Sequence, residues 1–238
     1  MSGHSKWNNI KRKKEKTDAQ KAKIFTKVGR ELAVVVKEGG ANPDSNFKLR
    51  DAIAKAKANN VPNDNIERII KKAAGEDGST YEEITYEGYG PFGTAIIIEA
   101  LTDNRNRTAG NIRHYFSKYG GNMGSTGCVS FMFKEKGIIA IDSENITDES
   151  SFEEDVIESG ALDFVKDEDF FVIYTEKEDY EVVYEYLKNK GYEFVSSEVG
   201  MVPDNYVSLS EEESEKVNVL LDVLDEDEDI KNVWHNLK

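Results

Sequence analysis

The sequence predicts an α+β protein in three parts: an N-terminal three-helix domain, then two ferredoxin-like (split βαβ) α/β domains, the third inserted in the second. Three observations carry this. Hydrophobic spacing changes from helical to alternating near residue 80, where the charge also changes sign. Residues 137–199 read as a self-contained β-α-β-β-α-β order. After residue 203 a strand, a helix and a strand remain, which that unit cannot use and which complete an earlier β-α-β over 94–133. The expected domains are therefore 1–77, a discontinuous 80–134 plus 204–238, and the inserted 135–203.

The charge is segregated. Residues 1–75 hold 18 Lys and Arg against 8 Asp and Glu, a net of +10, whereas 76–238 hold 13 against 38, a net of −25. A basic head suits a polyanion, and an acidic body repels one except where local cations reverse the field. The opening holds His4, Lys6, Trp7, Ile10, Lys11, Arg12, Lys13 and Lys14 with almost nothing apolar. A solvated tail is the simpler use of such a segment; an arm that orders on phosphates is the functional one. Trp7 favours the arm, since it can stack on a base or cover the first helix.

Thr17 and Asp18 can start a helix that Gly39 and Gly40 stop. Phe25, Val28, Leu32, Val35 and Val36 share one face, and Lys23, Lys27, Arg30 and Lys37 the opposite one, with Lys21 extending the basic run. Lysines commonly serve only to solvate a face. Here the sign is nearly uniform and continues the arm, which favours a phosphate-reading ridge. Pro43 is placed to open a second helix through Phe47, Leu49, Ile53 and Ala56, ending at Asn59 and Asn60. Pro62 opens a third, with Ile66, Ile69, Ile70 and Ala73 inward.

Residues 81–86 read as a strand, 88–93 as a glycine-rich turn and 94–101 as a buried strand around Ile96, Ile97 and Ile98. A helix follows with Ala109, Ile112, Tyr115 and Phe116 on one face. Residues 120–124 read as an open loop and 128–133 as a strand alternating at Val129, Phe131 and Phe133. The inserted unit follows, with helices near 152–159 and 180–190. A strand at 206–209, a helix at 211–224 and a strand at 230–234 close the chain, so the acidic run 225–229 is expected to be a turn.

Asn104, Arg105, Asn106 and Arg107 sit where a strand feeds a helix, and Arg113 lies two turns on. A helix start offers free N–H groups and a positive dipole end, so the cluster suits phosphate. Pairing with the body's own carboxylates is the competing use. Enzyme readings find little support: the 120–127 loop lacks the Gly-Lys-Ser/Thr of a phosphate loop. His4, His114 and His235 show no metal spacing. Cys128, the lone cysteine, reads as core in the expected strand. No enzyme activity, cofactor or metal is expected. A lone cysteine and the lack of an apolar run of membrane-spanning length suggest a reducing compartment, the cytoplasm, and no membrane partner.

Several strings carry a resemblance. Ser2-Gly3-His4-Ser5-Lys6-Trp7, Phe25-Thr26-Lys27 and Asn60-Val61-Pro62 resemble the N-terminal domain of the YebC/PmpR family. Tyr86-Glu87-Gly88-Tyr89-Gly90-Pro91, Leu101-Thr102-Asp103-Asn104-Arg105-Asn106-Arg107-Thr108 and Ser117-Lys118-Tyr119-Gly120-Gly121 resemble its second domain. The resemblance spans essentially the whole chain. It implies three domains, no catalytic activity and a role as a cytoplasmic DNA-binding transcriptional regulator. Relatives in mitochondria act as translational activators, and bacterial ones are linked to ribosomes, where they relieve stalling at proline-rich stretches. It also implies nucleic-acid contact by His4, Lys6, Trp7, Lys27, Asn104, Arg105 and Arg107. Two positions depart from the family pattern: Phe92 replaces a usual Gly, and Cys128 a usual Ser.

The expected function is thus a nucleic-acid-binding regulator of gene expression, with DNA or ribosomal RNA, and the ribosome itself, as candidate partners. The acidic body favours structured RNA over a long duplex. A scaffold whose basic arm binds acidic proteins is the alternative. The sequence sets no oligomeric state.

Overall fold

The computed structural model describes residues 18–75, 81–167 and 169–238. Its first unit is three helices: α1 (Asp18–Gly39), α2 (Phe47–Ala58) and α3 (Asn63–Ala73). Val28, Leu32, Val35 and Val36 of α1 are buried against Leu49, Ala52, Ala56, Ile66 and Ala73, as the spacing predicts. Helix α2 begins later than Pro43 suggests, because Asn46 takes the cap. Its Oδ1 accepts from Leu49 N at 3.1 Å, and its Nδ2 donates to Val35 O at 2.8 Å and Gly40 O at 2.9 Å. One buried amide thus closes α1 and opens α2.

The body holds two four-stranded antiparallel sheets. The first contains β1 (Glu82–Tyr89), β2 (Ala95–Thr102), β3 (Asn122–Met123) and β8 (Ile230–His235), in the order β3-β1-β2-β8. Helix α4 (Arg105–Lys118) carries the chain from β2 to β3 across β1, a split βαβ. The second sheet contains β4 (Phe133–Asp142), β5 (Asp163–Asp167), β6 (Phe170–Glu176) and β7 (Phe194–Pro203), in the order β5-β6-β4-β7. Helices α5 (Glu149–Glu158) and α6 (Tyr180–Asn189) complete the ferredoxin-like unit. It interrupts the first sheet in sequence, since α7 (Glu211–Glu226) and β8 return to that sheet afterwards.

The layers explain the residue pattern. Ile96 and Ile98 face α4 and α7, whereas Ile97 joins Trp234, Ile138, Val172 and Tyr174 between the sheets. With both faces covered, β2 must be apolar at every step, hence the unbroken run at 95–98. On the outer face of the second sheet, Ile139, Ile141, Phe171 and Ile173 bury against Phe152, Val156, Val183 and Leu187 of α5 and α6.

The sheets approach closely at Gly200, where an added Cβ would lie 2.1 Å from Trp234 Cη2. Trp234 is buried and has no room to yield. Gly200→Ala is therefore expected to cost about 1–3 kcal/mol in urea unfolding, with no loss of binding by the folded protein.

Two expected strands do not form. Residues 128–132 make a loop ending in a 3₁₀ turn (Ser130–Met132). The buried Glu87 carboxylate is the cause: Gly127 N donates to it at 2.8 Å, Val129 N at 2.9 Å and Ser130 N at 2.8 Å. These N–H groups are then lost to any strand ladder. Val129 is buried while Phe131 is 73% exposed, so the expected shared face is broken. The edge position passes instead to Asn122 and Met123, against Gly88 and Tyr89. A Cβ on Gly88 would lie 2.6 Å from Asn122 O, so glycine permits this approach. Residues 206–209 contribute only an isolated Val207–Leu237 bridge.

Phe92 holds a left-handed backbone at φ 58° and is exposed. That conformation suits the glycine which the family pattern places there. Among the described residues, no helix is long and apolar enough to cross a membrane.

Candidate nucleic-acid interface

Three cations of the basic face of α1, Lys23, Lys27 and Arg30, are turned toward the body, whereas Lys37 is exposed. They lie along the end of α7 and the turn that joins it to β8, with Lys27 and Arg30 each reaching a carbonyl 198 residues away in sequence. Lys23 Nζ is 3.7 Å from Glu226 Oε2. The Lys27 ammonium donates to the backbone carbonyl of Asp225. Arg30 Nη1 donates to Glu228 O at 2.9 Å and to Asp229 Oδ1 at 2.7 Å. The placement has a local cause. Helix α7 ends at Glu226 with no basic residue of its own in the last turn. Its free carbonyls and negative dipole end attract cations, and α1 supplies them.

Asp229 is the centre of this seam. Its other oxygen accepts from Arg107 Nη2 at 2.8 Å, Arg107 Nε at 3.2 Å and Thr108 Oγ1 at 2.8 Å. Burial pushes this carboxyl up, but bonds from Arg107, Thr108 and Arg30 outweigh it and hold it below the ordinary 3.8. Arg107 also meets Asp103 at 2.9 Å. A neighbouring carboxylate, Asp227, accepts from Tyr115 Oη at 2.9 Å; burial and this bond push the phenol up to about 12.

The expected site residues therefore divide. Lys23, Lys27, Arg30 and Arg107 converge on the acidic turn. Asn104 caps α4, its Oδ1 accepting from Arg107 N at 3.1 Å. Arg105 and Arg113 remain exposed on α4, away from those pairs. Lys21 lies in the first turn of α1, its side chain outside the described set. His4, Lys6, Trp7, Lys11, Arg12, Lys13 and Lys14 fall outside the described residues altogether. Cys128 is half-buried in the loop, where burial and then the Glu87 charge push its thiol up, unlike an activated nucleophile. Among the described residues no group of three or more His, Cys, Asp or Glu is placed to hold a metal.

Sequence reasoning did not single out Lys57, Lys71 and Lys72. All three are exposed and lack an ion pair among the described residues. Their position near the ends of α2 and α3, within the basic segment, was the available signal. Lys231 was missed too: it reaches Glu83 at 3.2 Å and Glu31 at 3.9 Å.

A second seam joins the helices to the inserted unit. Phe47 meets Tyr180 and Tyr184 edge-on, with centroids 5.8 and 5.9 Å apart. Arg50 pairs with Glu185 at 3.2 Å. Tyr180 Oη donates to Asp51 Oδ2 at 3.3 Å. Burial pushes the Asp51 carboxyl up to about 7, against the lowering effect of that bond. A raised carboxyl favours the fold fully below its ordinary 3.8 and loses that contribution as pH rises through about 7. Asp51→Asn is thus expected to raise stability by on the order of 3 kcal/mol at pH 8 and to change little at pH 4. Chemical unfolding at the two pH values reads this difference.

Fold and seam together define a three-part α+β protein in which a basic helical unit is docked by ion pairs on an acidic, two-sheet body. Residues 5–76 match the family described as the TACO1/YebC protein N-terminal domain, and 81–237 match TACO1/YebC second and third domain. The chain belongs to the TACO1/YebC family. It is 56% identical over 237 residues to a probable transcriptional regulatory protein from Hathewaya histolytica, covering 99% of this chain and 96% of that one. A probable transcriptional regulatory protein from Acetivibrio thermocellus is 56% identical over 238 residues, covering 99% and 98%. The crystal structure of a conserved hypothetical protein from Aquifex aeolicus superposes with a TM-score of 0.86 at 43% identity, covering 94% of this chain and 92% of that one.

Proposed function

We propose that this protein is a non-enzymatic, nucleic-acid-binding regulator of gene expression. The observation that carries the reading is the charge segregation, +10 over residues 1–75 against −25 over the remainder. Such a head binds phosphates with salt-sensitive affinity, and the α/β units set its placement. The relatives, named as probable transcriptional regulatory proteins, support a regulatory role. Structured RNA is the preferred target. A body of net −25 lies poorly along a duplex, whereas a folded RNA offers phosphates to the head alone. On this reading the arm residues Lys11–Lys14 make the primary contacts, and exposed Arg105 and Arg113 add to them.

Ultraviolet crosslinking in cells, with sequencing of both attached RNA and attached DNA, tests the proposal. Ribosomal RNA enriched at one site supports a translation factor acting on the ribosome. Enrichment of promoter DNA instead makes the protein a transcriptional regulator. A second reading draws on the seam itself: α1 already grips an acidic protein segment in cis, as a scaffold for acidic partners would in trans. Absence of either nucleic acid above background favours that reading.

A further inference from the structure

We infer that the acidic segment 225–229, the end of α7 and the turn after it, is an internal stand-in for nucleic-acid phosphates, a latch that covers the α1 ridge until a polyanion displaces it. This rests on the nucleic-acid reading above. Successive groups of one short segment each take a ridge cation. Glu226 faces Lys23, the Asp225 carbonyl takes Lys27, and the Glu228 carbonyl and Asp229 carboxylate take Arg30. A line of negative groups meeting a line of cations is also the geometry of a phosphate backbone on a basic helix. In this closed arrangement the Arg30 side chain is only 16% exposed, so it cannot reach an external phosphate.

The seam is incompletely packed. A cleft of about 60 Å³ remains within it, bordered by the apolar Ile24 and Val28 and by Lys23, Lys27, Lys55 and Glu226. Partly solvated pairs such as Lys23–Glu226 hold weakly, because water and salt screen them. Arg30–Asp229 is the buried member and sets the threshold. A ligand that releases counterions from several phosphates at once can exceed that threshold where a single anion cannot. The basic arm would bind first, and the freed ridge would then add contacts.

The test uses the full chain. Glu226→Gln with Glu228→Gln weakens the latch and leaves Asp229, which also anchors Arg107 and Thr108, in place. Glu211→Gln with Glu215→Gln, at exposed sites elsewhere on α7, makes the same change in net charge. Binding of a labelled folded RNA hairpin and of a duplex DNA is measured by anisotropy, and the radius of gyration by small-angle scattering. The latch variant is expected to bind RNA about tenfold more tightly than wild type and to show a larger radius of gyration, the control tightening by about twofold at most. Equal affinity for the latch variant and wild type overturns the latch, as does equal tightening in the control or tighter binding without expansion. Expansion with no binding of either nucleic acid by any form instead overturns the functional reading, and the latch loses its ligand with it.

Discussion

Replacing Lys11, Arg12, Lys13 and Lys14 together by Glu is expected to abolish nucleic-acid binding while the melting temperature hardly moves. The change takes the leading 75 residues from a net of +10 to +2 and sets four carboxylates where phosphates would lie. If each position neutralises one phosphate, the slope of log affinity against log salt falls by roughly three to four, and affinity at 0.1 M salt by at least about 100-fold. The segment contains almost nothing apolar, so its charges are not needed to bury the α1–α3 core. Anisotropy titrations across salt concentrations, with thermal unfolding alongside, check both halves. Undiminished binding would move the interface to the exposed cations of α2, α3 and α4.

Asp229→Ala is expected to be the most damaging single change at the seam. It leaves Arg30 and Thr108 without their buried acceptor and removes the bidentate partner of Arg107. Loss of one member of a buried pair costs about 3–5 kcal/mol. Because Arg107 is half-exposed and screened, the lower part of that range is the expected result. Asp229→Asn keeps an oxygen for Thr108 and should fall between wild type and alanine. The pH dependence has a definite sign. A carboxyl held below its ordinary 3.8 contributes stability that is present above that value and is lost as pH falls through the lower folded value. The gap between wild type and Asp229→Asn should therefore be constant near neutrality and close in acid. Urea unfolding at pH 7 and pH 3 reads it directly. A constant gap at both would show that the ionised form is not what holds the seam.

The loop around Glu87 shows where reading along the chain fails. Val129, Phe131 and Phe133 alternate as a strand should, yet three backbone N–H groups between 127 and 130 turn to one buried carboxylate. Alternation reports which side chains could share a face; it carries no information on where the backbone finds its acceptors. Asn46 makes the same point on a smaller scale. Pro43 is a sound helix opener, but a side chain able to close one helix and start another displaced the start.

By itself the sequence determined the three helices, the inserted β-α-β-β-α-β unit, the return of the chain to its earlier sheet and the division of charge. Each follows from spacing, caps, glycine stops and composition, which act between near neighbours or add along the chain. It also marked α1 as two-faced and placed a turn after the last helix, although that helix runs on through Asp225 and Glu226 and leaves only 227–229 for the turn. Only the tertiary structure decided that these two features meet. Lys23, Lys27 and Arg30 read as a phosphate-facing ridge, yet they are paired with the body, which offers many carboxylates. Which ones they find depends on how α7 ends against α1, some 200 residues away in sequence. Coulomb attraction is long-ranged and unspecific at the level of sequence; packing of distant helices and strands selects the partner.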